Sequence, residues 1–194
     1  MGNYYFLPLG SIKQDYESAR YWFEIAAKYE NPKGQNNLGI LYLRGLGVTK
    51  DLFKAAQYFF SASERGLEQA QSNLADMFLT GNGIQPNEEE AFRLYMLSAQ
   101  KGMVNSQFQL GKMLMKGIGV KKNVSSAIEW IQRAADQGYA DAQAYLSATY
   151  LDEVVPDVNF SNARYWADKA AQQQHSGGFY LMGIIYRCIG MDLG

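Results

Sequence analysis

Leu38-Gly-Ile-Leu-Tyr-Leu-Arg-Gly-Leu-Gly-Val48 is the stretch that decides the fold. Leu38, Gly39 and Tyr42 put an apolar, a small and an aromatic residue on one helical face. The helix ends at Gly45-Leu46-Gly47, where glycine takes the positive φ of a C-terminal cap and turn. Asp51 then precedes Ala55, Tyr58 and Ala62, spaced three and four apart. A short polar side chain before such a pattern is an N-cap, so a second helix begins at Asp51 and stops near Gly66. Gly39 opposite Ala55 and Ala62 is expected to let the two helices approach closely.

This hairpin recurs. Leu38, Leu74, Leu110 and Leu146 are 36 residues apart, and the next step lands on Met182. Ala19, Ala55, Ala91, Ala127 and Ala163 keep the same step, as do the polar residues Asp15, Asp51, Asn87, Asn123 and Asn159. Gly66, Gly102 and Gly138 complete the unit. One hairpin cannot bury its apolar faces alone, but stacked hairpins can, so the expected fold is all-α, an α-solenoid superhelix of helix-turn-helix repeats. Its single solenoid domain covers residues 15–190, with units about 34–69, 70–105, 106–141 and 142–177 flanked by partial ones. Residues 1–14 form an N-terminal segment and 191–194 a tail. Asn3–Leu9 is too short for a first helix and contains Pro8. Asp152-Glu-Val-Val-Pro156 lacks the two glycines of the other turns and is expected to wind differently. The last unit stops near Gly190, an open end that further chain or a second copy would cover.

Composition excludes several classes. The 194 residues carry 18 Lys+Arg against 19 Asp+Glu, which gives no global attraction to nucleic acid or to an anionic membrane. A hydrophobic fraction of 47% with 4 Pro is too apolar for a disordered chain. One Cys and one His cannot build a disulfide or a His/Cys metal cluster, so no cofactor is expected. No apolar run reaches the length of a membrane span. The N-terminus has no basic and apolar leader regions, and Phe6 sits where an acylation motif needs Ser or Thr. A periplasmic or secreted location follows if a signal peptide has been trimmed, and a cytoplasmic one otherwise.

The two fullest units, Leu38–Val48 and Leu110-Gly-Lys-Met-Leu-Met-Lys-Gly-Ile-Gly-Val120 followed by Trp130, Ala134-Ala135 and Gly138, resemble the Sel-one-like repeat family, cousins of the tetratricopeptide repeats. The resemblance covers about residues 15–188. It implies an all-α protein of protein–protein interaction, adaptor or toxin-immunity type, bacterial in source. It also implies that the first helices line the concave wall. Cysteine-rich members of the family are linked to β-lactam or cell-wall-fragment binding and hydrolysis. Their paired cysteines are missing here, which leaves that enzyme reading as the alternative.

The residues offer little chemistry. The Gly-x-Gly turns follow no strand and carry no Gly-Lys-Ser/Thr. His175 has no motif partner and reads as a solvent-exposed junction residue, while Cys188 has no nearby activating His. Glu88-Glu-Glu90 follows Asn87 at a helix start, and Glu90 stands at the capping-box position. Stepping by 36 through the outward positions of the first helices gives four rows. They run from Asn36 to Tyr180, Ile40 to Ile184, Leu43 to Arg187 and Arg44 to Cys188. Their mix of apolar side chains with charges of both signs suits a protein groove. The expected binding residues are Asp76, Leu79 and Thr80 on one helix, with Phe108, Lys112, Met115 and Lys116 on the next first helix. The expected partner is a protein or peptide, such as a secreted effector or toxin, and the protein is expected not to be an enzyme.

Overall fold

The computed structural model describes residues 15–152 and 159–191. Among these, all regular structure is helical: α1 (Tyr16–Lys28), α2 (Pro32–Arg44), α3 (Leu52–Glu64), α4 (Glu68–Thr80), α5 (Glu88–Gln100), α6 (Val104–Lys116), α7 (Val124–Asp136), α8 (Ala140–Leu151), α9 (Phe160–Gln172) and α10 (Ser176–Met191). They form two compact units, one ending at Met103 and the other beginning at Val104. The first holds α1–α5 and the second α6–α10.

Every residue of the polar column caps a helix. Asp15, Asp51, Asn87, Asn123 and Asn159 each accept a hydrogen bond from the backbone N–H three residues on, at 2.9–3.0 Å. Four of these residues also donate their own N–H backwards. Asp51 donates to the Tyr42 carbonyl, Asn87 to Phe78, Asn123 to Leu114 and Asn159 to Tyr150. This second bond closes the inter-helix loop and uses the donor that a capping box needs. The capping box expected at Glu90 is therefore only half made. Glu90 turns its carboxylate to Arg93, which donates from Nε at 2.8 Å and Nη2 at 2.6 Å.

Gly45, Gly81 and Gly117 end their helices at φ of 71°, 69° and 75°. The helix before the fourth turn stops one residue earlier: Asp152, at the register of Arg44, Thr80 and Lys116, is already extended at φ −91° and ψ 144°. Residues 153–158 lie outside the described residues. Tyr150 still receives the Asn159 N–H at 3.1 Å, so the two ends of that loop meet as in the other repeats.

The leucine column is the core: Leu38, Leu74, Leu110 and Leu146 are buried. The small residue beside it has a more specific partner than the sequence suggests. A Cβ on Gly39 would stand 2.6 Å from the Phe59 ring, and one on Gly111 would stand 2.4 Å from Ile131. The close approach therefore admits the large side chain at the position of Phe59 and Ile131, and at Gly111 it also brings in the Ala127 carbonyl, of the Ala55 column, which a Cβ would meet at 2.9 Å. A buried polar column runs beside it. In the second unit Gln137 donates to Gln107 at 2.7 Å, and Gln173 donates to Gln143 at 2.8 Å.

Candidate functional site

The outward rows do not all face out. Asn36, Ser72, Phe108 and Ala144 are buried, and within that row Tyr180, at 71% exposure, is the exception. Asn36 accepts from the Asn73 amide at 3.0 Å, so this row lies where one first helix meets the next within a unit. Phe108 is the clearest correction. Only 7% of it is exposed, and its ring packs edge-on to Tyr139 and Tyr145 with centroids 5.4 and 5.7 Å away. It belongs to the core cluster of Ile131, Leu146 and Trp166 and cannot itself be the anchor that a partner touches.

The remaining rows are more open. Asp76, Thr80, Lys116, Ala148 and Asp152 are exposed, while Leu43, Leu79, Lys112, Met115 and Leu151 are half-buried. Met115 rests on the Phe108 cluster, and Leu151 rests on the core around Ala167 and Leu181. The apolar row is thus partly covered by its own unit, which weakens the reading of it as an open stripe.

In the first unit, α4 carries Asp76, Leu79 and Thr80. The Thr80 hydroxyl donates back to the Asp76 carbonyl at 2.8 Å, the usual bond of a helical threonine. The Asp76 carboxylate accepts from the phenol of Tyr95, a fully buried residue of α5. Asp76 is exposed as a residue, yet this oxygen turns inward. Burial pushes its carboxyl above the usual carboxylate range, against the pull of the Tyr95 hydrogen bond. Burial and the neighbouring Asp76 charge push the Tyr95 phenol well above its ordinary value. Sequence reasoning missed this pair, although its signal was present. The Asp76 column otherwise reads Ile40, Lys112, Ala148 and Ile184, and the Tyr95 column reads Phe23, Phe59, Ile131 and Ala167. The acid and the phenol enter in the same repeat.

In the second unit, α6 carries Lys112, Met115 and Lys116 on one side. The Lys112 ammonium lies 5.2 Å from the centroid of the Phe108 ring, which holds it over the core edge. Lys116 extends into solvent, and neither lysine is ion-paired to an acid among the described residues. The arrangement presents two cations one turn apart beside a half-open thioether. It can hold carboxylates and an apolar side chain.

His175 departs from the solvent-exposed reading. Its Nε2 is 2.9 Å from Asp141, its side chain is 27% exposed, and its Nδ1 is buried without a partner. Cys188 is a half-buried free thiol. Among the described residues no three His, Cys, Asp or Glu side chains group to hold a metal ion, and no helix is long and apolar enough to cross a membrane.

The fold and these faces define an all-α solenoid of helical hairpin repeats. The Sel1 repeat model matches residues 1–28, 32–67, 68–103, 104–139 and 140–175, and the chain belongs to the Sel1 repeat family. The boundary between the two units coincides with a repeat boundary. Among solved structures, the SLR-fold protective antigen c5321 of uropathogenic Escherichia coli is 34% identical, with a TM-score of 0.85 over 96% of this chain and 40% of that one. A Sel1 repeat protein from Oxalobacter formigenes is 31% identical, with a TM-score of 0.82 over 90% of this chain and 71% of that one. The Arabidopsis thaliana ERAD-associated E3 ubiquitin-protein ligase component HRD3B is 48% identical over 52 residues, which are 27% of this chain and 9% of that protein.

Proposed function

We propose that this chain is a non-catalytic protein-binding module, an adaptor or an immunity protein, and that it holds its partner on the open side of its first helices. The observation that carries this reading is the Lys112–Met115–Lys116 face of α6. Two cations without acidic partners among the described residues flank an apolar side chain that its own unit only half covers, which is the make-up of an anchor with a charged rim. The partner surface that fits it carries carboxylates around an apolar side chain. Within the first unit, Asp76, Leu79 and Thr80 of α4 offer a separate and milder binding surface, with Asp76 limited by its bond to Tyr95. Phe108 serves by holding Lys112 in place from beneath. The likeness to HRD3B, named as a component of a larger ligase, supports an assembly role rather than a catalytic one.

The test is a binding comparison on an identified partner. Met115→Ala should weaken the complex mainly through faster dissociation. Lys116→Glu should slow association and weaken its salt dependence. Turnover of a chromogenic β-lactam, lost on Lys112→Glu/Lys116→Glu, would instead favour the enzyme alternative.

A further inference from the structure

The first unit has a second open surface, on the side of the second helices. Phe53 and Phe60 of α3 are 61% and 54% exposed. They border a cleft of about 500 Å³ that is also lined by Ala56 of α3, by Leu74 and Phe78 of α4 and by Ile84. The repeat shows how this cleft arises. At the register of Phe53 the other second helices carry Glu17, Glu89, Ser125 and Ser161. At the register of Phe60 they carry Glu24, Met96, Gln132 and Asp168. Between the two, α3 has Ala56 where the other second helices carry Arg20, Phe92, Ile128 and Arg164. One helix has thus lost the side chain that fills the furrow and gained two aromatic walls. Neither change follows from stacking, because the equivalent helices stack without them.

Charge decides what fits. The α4–α5 loop that carries Ile84 packs against α3: a Cβ on Gly83 would stand 2.6 Å from that of Leu52, the neighbour of Phe53. Asn87, bonded to the carbonyl of Phe78 in the cleft lining, leads directly into Glu88 and Glu89. Both are exposed and have no basic partner among the described residues, whereas Glu90 is taken by Arg93. Lys54, the nearest cation in sequence to Phe53, is engaged elsewhere, 3.8 Å from Asp51 and over the ring of Tyr42. The cleft is therefore lined mainly by apolar side chains, and the helix that follows its Ile84 loop opens with two acids unpaired among the described residues. Phe53 and Phe60 are two helical turns apart, about 10 Å, the length spanned by i, i+3/i+4 and i+7 side chains of a docked helix.

We propose that this cleft docks a basic amphipathic helix of a partner protein. Its apolar face enters between Phe53 and Phe60 over Ala56, and its Lys or Arg side chains meet Glu88 and Glu89. The surface is distinct from the α6 face and stands or falls independently of it.

The probe is a synthetic leucine/lysine peptide with leucine at i, i+3, i+4 and i+7, titrated against the full chain, with a leucine/glutamate peptide of the same pattern beside it. The leucine/lysine peptide should bind the wild type and lose at least tenfold in affinity to Ala56→Phe, which refills the furrow as Phe92 does. Phe53→Ser/Phe60→Gln, the residues that α7 carries at the same register, should lose as much. Glu88→Lys/Glu89→Lys should shift the preference to the leucine/glutamate peptide. Circular dichroism should show all three variants folded, since Phe53, Phe60, Glu88 and Glu89 are exposed and Ala56→Phe copies a residue of the repeat. Equal binding to wild type and variants, or equal binding of both peptides to the wild type, overturns the proposal. So does self-association of the wild type that Phe53→Ser/Phe60→Gln abolishes, since a second copy would then be the occupant.

Discussion

The buried Tyr95 phenol donates to a carboxylate oxygen of Asp76, tying α5 to the outer side of α4. Most of the core joins helices through apolar contact, whereas here a polar bond reaches from inside to surface. Tyr95→Phe leaves the inward Asp76 oxygen without its donor and should cost about 1–3 kcal/mol. Chemical denaturation of the two proteins at one pH measures it.

The same pair sets a pH dependence. The folded-state pKa of Asp76 lies above the ordinary aspartate value of 3.8. The native state therefore holds the proton more tightly than the unfolded chain does. The resulting stability is fully present below about pH 3.8 and is lost as pH rises through the folded value. Asp76→Asn keeps an acceptor for Tyr95 and removes the charge. Its melting temperature should exceed that of the wild type at neutral pH, and the gap should close as the pH falls towards 3.8.

The junctions between repeats turn on Gly66, Gly102 and Gly138 at φ of 78°, 89° and 86°, whereas Glu30 and Gln174 hold the same register at 59° and 58°. A side chain in that conformation costs about 1–2 kcal/mol, partly offset by the greater freedom of glycine when unfolded. Gln174→Gly should therefore stabilise the chain by up to about 1 kcal/mol, read as a higher denaturation midpoint with unchanged m-value. A drop in stability would mean that the Gln173–His175 junction is held by something other than its backbone.

Core truncation should depend on place in the stack. Leu110→Ala removes a fully buried side chain and should cost about 2–5 kcal/mol. Met182, at the same register of α10, is half-buried, and Met182→Ala should cost distinctly less. Equal losses would contradict a stack in which each repeat leans mainly on its neighbours.

The period of 36 residues made the helices, their caps and the leucine core legible in the sequence, because each depends on local spacing. The outward rows were less legible. A helical wheel places Phe108 and Asn36 opposite Leu38's column, but it cannot show that neighbouring first helices cover that side. The turn at Gly45 was readable because positive φ asks for glycine, whereas Gln174 hid the same turn behind a residue that rarely takes it. Asp76–Tyr95 and the Phe53–Phe60 cleft were encoded as breaks in otherwise regular columns. Comparing repeats position by position exposes such breaks, whereas a search for conserved pattern passes over them.

The central claim is that the open side of the first helices binds a protein. The most direct measurement is affinity capture from native lysate with wild type and with Lys112→Glu/Met115→Ala/Lys116→Glu. Phe108 is left intact because its truncation would open the core. The variant should show the wild-type helical signal and melting temperature. A discrete protein retained by the wild type should be lost or strongly reduced on the variant. Retention of the same protein in the same amount by the folded variant would contradict the claim.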